Sequence, residues 1–569
     1  MNLNINAIKS QTFDAIVVGS GISGWAAKEL TEKGLRVVMI ERGRMLEHIT
    51  GYENAMKDPW DMQYHGRLTV QQRNTHPKLS RDHPYNEGTE KYWMNDADAL
   101  YKEEKRFDWF RPDILGGKSI MWGRQTYRWS DLDFEANLKE GIAIDWPIRY
   151  KDIAPWYSYV ERFVGISGEK LNLPQLPDSE FLPPMEMFCV ERHVKESIAK
   201  HFGGRVMTIG RNANLSAAEK AQLGLGRSAC QYRNKCSLGC PYGAYFSTQS
   251  ATLPAAMKTK RLTLQTDSLV QEILYDEKKK RASGVRIIDK NTLETKEIYA
   301  KIVFVCASTL GSTTILLNSI SNRFPNGFGN DSGQLGHNLM DHHFKIGASG
   351  TWEGGADKYY YGRRANGIYI PRYRNIGNDK RDYLRGFGYQ GGGSRKGWSR
   401  STGELAFGAA MKEQLTRPGE WTMSLNGFGE CLPYYENRVY LHKTEKDKWG
   451  FPLQVFDAEF KENERKMRVD MLNDAQEMLE AAGMKNIKAN DGVSYPGMAI
   501  HEMGTARMGR DPKTSVLNAH NQMHAVPNVF VTDGSCMTSA SCVNPSLTYM
   551  ALTARAADFA VDQLKKQNL

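Results

Sequence analysis

The segment from Phe13 to Gly43, FDAIVVGSGISGWAAKELTEKGLRVVMIERG, constrains the fold more than any other part of the chain. An apolar run leads into a glycine turn, a helical pattern follows, and a second apolar run closes the unit. That order reads as strand, turn, helix, strand. Gly19, Gly21 and Gly24 form GxGxxG between the first strand and the helix. Glycine at those places permits a tight turn, close approach of backbone to a pyrophosphate, and close packing of helix on strand. The helix N-terminal amides then face the phosphates. Glu41 ends the second strand and supplies the acid expected on an adenosine ribose hydroxyl; a surface carboxylate at a strand end is the plainer alternative. The motif predicts dinucleotide binding and does not choose between FAD and NAD.

With 569 residues the chain exceeds the size at which one hydrophobic core keeps growing, so several compact units or inserted layers are expected. Hydrophobic residues at 40% and charged residues at 25% are ordinary globular values and exclude a disordered or fibrous class. The net charge of +10 is spread along the sequence and accompanies no nucleic-acid motif, so nucleic acid is excluded as the expected partner. A solvated surface explains this charge, and a positive face for an acidic redox partner is the second reading. No stretch approaches the ~20 apolar residues of a membrane span, and MNLNINAIKSQTFD has neither a charged n-region nor an apolar h-region.

From Leu262 the pattern alternates in the manner of antiparallel strands and ends in an apolar run at Ile302 to Cys306, followed by helix-like STTILLNSI. Residues 345–495 mix aromatic-rich strand candidates with one long helical stretch, Lys461 to Ala482. NVFVTDGS and the NPSLTYMALTARAADFAVDQLKK run then form another strand, turn and amphipathic helix. The expected fold is α/β with α+β elements: a Rossmann-like dinucleotide domain, discontinuous over 1–50, 100–130, 250–345 and 495–569, and a substrate-binding domain on an antiparallel sheet over 346–494. Residues 131–249 are an insertion. Residues from about Gly51 to Tyr101 lack periodicity and read as an irregular excursion over the cofactor.

Eight cysteines are too few for a disulfide scaffold, and three of them, Cys230, Cys236 and Cys240, crowd into CQYRNKCSLGCPYG. Convergence on an inorganic cluster, a zinc site, or three packed reduced thiols all remain open from the residues alone. Structural zinc prefers four ligands and paired CxxC units, and no fourth ligand is evident.

Four stretches in order carry a family resemblance: the phosphate loop, LGGKSIMW at Leu115 to Trp122, HEMGTARMG at His501 to Gly509, and DGS at 533–535 with NPSLT at 544–548. Together they resemble the glucose-methanol-choline oxidoreductases over nearly the whole chain. Within that family the bacterial sugar dehydrogenases are similar, and KYYYGRRANGIYIPRYRN from Lys358 resembles the glucoside 3-dehydrogenases. The resemblance implies FAD, with Gly117 and Ser119 in the segment over the flavin, and Val270, Asp533, Gly534 and Pro545 at the cofactor. Capping a turn is the plainer role for Asp533. Met121 stands where some pyranose oxidases of the family carry a flavin-linking histidine, so non-covalent FAD is expected. The resemblance also implies that the cysteines hold an iron–sulfur cluster of the three-iron type (3Fe–4S), as in bacterial glucose and fructose dehydrogenases. A small chaperone-like subunit and a cytochrome c or other acceptor are the implied partners. Location in the periplasm through a signal-bearing partner follows, with the cytoplasm as the alternative.

Oxidising a secondary alcohol requires a base on the hydroxyl while its carbon faces the acceptor. Imidazole titrates near neutrality, which suits His501 to the base role. Asn544 can donate one hydrogen bond and accept another, orienting the hydroxyl without competing for its proton. The expected reaction is oxidation of glucose or a glucoside to a ketone, at C3. A pyranose-type oxidase using oxygen, a gluconate or glucose dehydrogenase, and more distantly a non-redox flavin-binding lyase or subunit are the alternatives.

Overall fold

The computed structural model describes residues 13–359, 365–397 and 407–569. Tyr360, Tyr361, Arg363 and Arg364 of the glucoside-dehydrogenase-like stretch therefore lie outside the described residues.

The first layer is a seven-stranded sheet. Its parallel part runs Leu262–Gln265, Val37–Ile40, Phe13–Val18, Thr295–Val305, Val529–Val531. The Val37–Ile40 strand is buried at every position, as expected where helices cover both faces of a parallel sheet. Leu262–Gln265 departs from the antiparallel expectation by joining Val37–Ile40 in parallel. Ser268–Asp276, Arg281–Asp289 and the start of Thr295–Val305 form the antiparallel meander that the alternation predicts. Thr295–Val305 thus serves both sets, with polar-out alternation in its first half and continuous burial in its second. Helices Trp25–Glu32 and Ser546–Lys565 pack together on this layer, where Ala26, Ala27 and Leu30 meet Ala556, Ala557 and Ala560.

The second layer is a six-stranded antiparallel sheet in the order Lys485–Asp491, His343–Trp352, Trp421–Gly429, Phe387–Arg395, Ile368–Ile370, Thr208–Ile209. Trp421–Gly429 shows strict alternation: Trp421, Met423 and Leu425 are buried, while Thr422, Ser424, Asn426 and Phe428 lie on the opposite face. The buried set packs against Met467, Met471, Met478 and Leu479 of helix Glu462–Ala481 and Val190, Val194 and Ile198 of helix Cys189–His201. The other face turns Phe344, Gln390 and Phe428 toward a cavity against the first layer. The edge strand Thr208–Ile209 comes from the segment read as an insertion, which here completes the second sheet.

Residues 51–101 contain only short turns of helix, the longest being Val70–Thr75, in keeping with an irregular excursion. Among the described residues no helix is long and apolar enough to cross a membrane.

Candidate active site

At Gly19 the phosphate loop makes a steric demand that only glycine satisfies. Gly19 has φ +98°, and a Cβ there would stand 2.5 Å from the Cys306 carbonyl oxygen. Gly24 is where helix meets strand: its Cβ would press on the Gly19 carbonyl at 3.0 Å. Gly21 faces open space, with no atom within 4 Å of a Cβ, and lines the cavity. Glu41 accepts from Ser20 N at 3.0 Å, Ser20 Oγ at 2.5 Å and Gly43 N at 2.7 Å. It buttresses the loop from beneath and still borders the cavity.

That cavity, about 470 Å³, is within the range of cofactor and ligand sites. Gly19, Gly21, Glu41, Gly117, Val270, Asp533 and Gly534 border it together with His501 and Asn544. Ser119, Gly24 and Pro545 stand behind the wall. Ser119 Oγ donates to Thr248 Oγ1 and accepts from Thr248 N, each at 3.1 Å, tying the Gly117 turn down. Pro545 starts the helix Ser546–Lys565, whose N-terminus thereby carries Asn544 into the cavity. Asp533 caps the turn Gly534–Cys536 through Ser535 N at 3.0 Å and accepts from Ser312 Oγ. A bare backbone floor at Gly21, a carboxylate at the second strand end and a cavity running on to an imidazole fit a flavin dinucleotide.

The reacting end is a chain of hydrogen bonds. His501 Nε2 and Asn544 Nδ2 are 3.2 Å apart. Gln390 Nε2 donates to Asn544 Oδ1 at 2.7 Å, an arrangement in which the Asn544 NH₂ faces the imidazole. Asp341 accepts from His501 N at 3.0 Å and Ala499 N at 3.1 Å, stapling the histidine loop to the segment before His343–Trp352. Burial, with the charge of Glu502 adding to it, raises the Asp341 carboxyl to about 8. Removal from water holds the His501 imidazole well below its usual 6.5, and the Lys118 charge reinforces that direction. His501 is therefore a neutral base near pH 7.

Gln390, Asp341 and His342 are site residues that the sequence reading does not single out. For Gln390 the available signal is a polar residue following buried Tyr389 on a strand. Replacing Gln390 with leucine removes one hydrogen bond of about 0.5–1.5 kcal/mol, which predicts a fall in kcat/KM of about 2- to 10-fold with FAD content unchanged. An unaltered kcat/KM would separate Gln390 from the site.

Cys230, Cys236 and Cys240 are partly exposed. The backbone between them passes through the left-handed region at Tyr232, Asn234 and Gly239. Burial pushes the Cys236 thiol up to about 12, and the neighbouring Cys230 and Cys240 add to it. The thiols share one field, yet among the described residues no group of three or more His, Cys, Asp or Glu side chains is arranged to hold a metal ion. The expectation of an iron–sulfur ligand set is not supported by this arrangement.

A parallel glycine-loop layer, an open dinucleotide channel and an imidazole–amide pair at its far end define a flavin-dependent oxidoreductase acting on CH–OH groups. GMC oxidoreductase family models match residues 13–344 and 433–553, and the chain belongs to this family. It is 28% identical to the 2-methyl-1,2-propanediol dehydrogenase of Mycolicibacterium austroafricanum, over 96% of this chain and 94% of that protein. It is 24% identical to the fructose dehydrogenase large subunit of Gluconobacter japonicus, over 97% and 98% respectively. The fold is shared with pyridoxine 4-oxidase from Mesorbium loti at a TM-score of 0.58 and 17% identity, covering 96% of this chain and 98% of that one.

Proposed function

We propose that this protein is a dehydrogenase that oxidises a secondary hydroxyl of glucose or a glucoside, at C3, to the ketone and delivers its electrons to a partner chain. The observation that carries the alcohol chemistry is the His501–Asn544 pair bordering the same cavity as the phosphate loop. His501 Nε2 takes the hydroxyl proton. Asn544, held by Gln390, orients the hydroxyl oxygen so that its carbon faces the cofactor channel. Bound FAD supplies the two-electron acceptor for the hydride leaving that carbon. Lys118, paired with Glu502 at 3.1 Å, puts a cation at the cavity wall, where it opposes protonation of His501.

The sugar class is supported by the similarity to a fructose dehydrogenase, and a partner chain by that relative's description as a large subunit. The C3 position rests on the resemblance of the stretch from Lys358. No electron step is assigned to the cysteine loop, whose thiols are not arranged as a ligand set.

The test is anaerobic absorbance before and after adding glucose, methyl glucoside and gluconate, with product identified by NMR and iron and sulfide assayed on the same sample. Bleaching of the flavin bands by glucose or the glucoside, a 3-keto product, and slow recovery in air are expected. Rapid recovery with peroxide release would make it an oxidase, and no bleaching by any sugar would overturn the reading. About three irons per chain would restore the cluster; none would leave the thiols as packing groups.

A further inference from the structure

We propose that His342 is the positioning residue that fixes which nitrogen of His501 carries the proton, so that the free lone pair always faces the cavity. The inference rests on His501 being the base of the reaction proposed above. His342 is fully buried, borders no part of the cavity and touches His501 from behind.

The argument is one of matched donors and acceptors. His342 Nε2 lies 2.7 Å from the carbonyl oxygen of Ser541. A carbonyl only accepts, so Nε2 carries a hydrogen. Burial lowers the His342 pKa to about 4, so the ring is neutral and its Nδ1 holds a lone pair. That nitrogen is 2.8 Å from His501 Nδ1, which must therefore be the donor. A neutral His501 with its hydrogen on Nδ1 leaves Nε2 bare, and Nε2 is the atom that meets the Asn544 NH₂. A bare Nε2 turns the Asn544 NH₂ toward it and leaves Asn544 Oδ1 to accept from Gln390 Nε2, so the whole chain has one consistent direction.

Its far anchor is rigid. Ser541 sits in the left-handed region at φ +58°, and its hydroxyl donates to Asp133 Oδ1 at 2.6 Å. Asp133 in turn accepts from Ser130 N at 2.8 Å. The Ser541 carbonyl is thereby aimed at His342 by contacts that the substrate never touches. The hydrogen bond on one ring nitrogen sets the state of the other, which is how a base is held ready when no carboxylate backs it. Here the carboxylate beside it, Asp341, is engaged by the main-chain N–H groups of Ala499 and His501.

The experiment compares His342→Leu with His342→Gln in the FAD-loaded protein, together with ring ¹⁵N shifts of histidine-labelled wild type, assigned through His501→Ala. Leucine removes the acceptor and lets His501 exchange tautomers, so kcat is expected to fall about 10- to 100-fold, less than the ~10²–10⁴-fold carried by the base itself, while KM changes little. Glutamine can accept from His501 Nδ1–H and donate to Ser541, so it is expected to recover kcat to within about 5-fold of wild type. The wild-type His501 spectrum is expected to show a protonated Nδ1 and a bare Nε2, and His342→Leu a mixture. The proposal is overturned if wild-type His501 carries its hydrogen on Nε2, if His342→Leu keeps kcat within 2-fold, or if glutamine loses as much kcat as leucine at normal FAD content. The shifts are read without turnover, so they stand apart from the outcome of the sugar-bleaching test and remain decisive if His342→Leu fails to bind FAD.

Discussion

Replacing His501 with alanine is expected to lower kcat for the oxidised sugar by about 10²–10⁴-fold, the range carried by a positioned general base, while FAD remains bound. The two effects separate because of where the residues lie. On this reading Gly19, Gly21 and the Glu41-buttressed loop would cradle the dinucleotide, whereas His501 is hydrogen-bonded to Asn544 and His342 and, through its main chain, to Asp341. The sign of the pH dependence follows from the same surroundings. Burial first, with the Lys118 charge adding to it, disfavours the imidazolium, so His501 stays unprotonated down to a pH well below 6.5. Since the base is lost only as pH falls through that lowered value, kcat/KM in the wild type is expected to be flat from about pH 6 to 8 on the His501 limb. Steady-state kinetics of both proteins across this range checks the point. A variant within 10-fold of wild type, or an acid limb centred at 6.5 or above, would remove His501 from the base role.

What could be read in the sequence divides by the range of the contacts involved. The phosphate loop was legible because strand, glycine turn and helix are contiguous, with Gly19 and Gly24 packed closely and Gly21 bare toward the cavity. His501 and Asn544 were legible only through the motifs around them, because a loop and a helix N-terminus distant in sequence bring them together. Their supporting residues were not. Gln390 reaches Asn544 because Phe387–Arg395 pairs in register with Trp421–Gly429 and turns alternate residues to the cavity. That register is set across the sheet, beyond any local pattern. His342 and Asp341 lie in a segment without periodicity just before His343–Trp352. The two-residue strand Thr208–Ile209 is too short to show a period, so the segment 131–249 read as an insertion although it closes the second sheet. The cysteines differ again: their spacing left cluster, zinc and packed thiols open, because spacing does not fix where thiols point, and the cluster implied by the resemblance finds no support in their arrangement.

Arg385→Met is expected to destabilise the protein by about 3–5 kcal/mol, the cost of breaking a buried ion pair by removing one partner. Arg385 is fully buried just before the strand that carries Gln390. Its Nε stands 2.8 Å from Glu140 Oε2, its Nη1 3.6 Å from Glu430 Oε1, and its Nη2 donates to Asn137 Oδ1. The two carboxylate contacts are close without being aligned as hydrogen bonds. Much of the guanidinium's role is therefore to cancel charge on Glu430, which is itself only 1% exposed. Burial already lifts Glu430 to about 7; Arg385 and Arg372 oppose the shift, and Asp133 and Glu140 add to it. A carboxyl raised in the folded state binds its proton more tightly there than in the unfolded chain. Its contribution is thus present below about pH 4.5 and lost as pH rises through 7. Methionine keeps much of the arginine stem's volume but removes the cation, which raises Glu430 further and extends that loss. The deficit of the variant is consequently expected to be larger at pH 8 than at pH 5.5. Urea unfolding of both proteins at the two pH values measures it. A loss under about 1 kcal/mol, or one equal at both pH values, would mean that Glu430 finds its compensation in Arg372 and that Arg385 serves only to fill space.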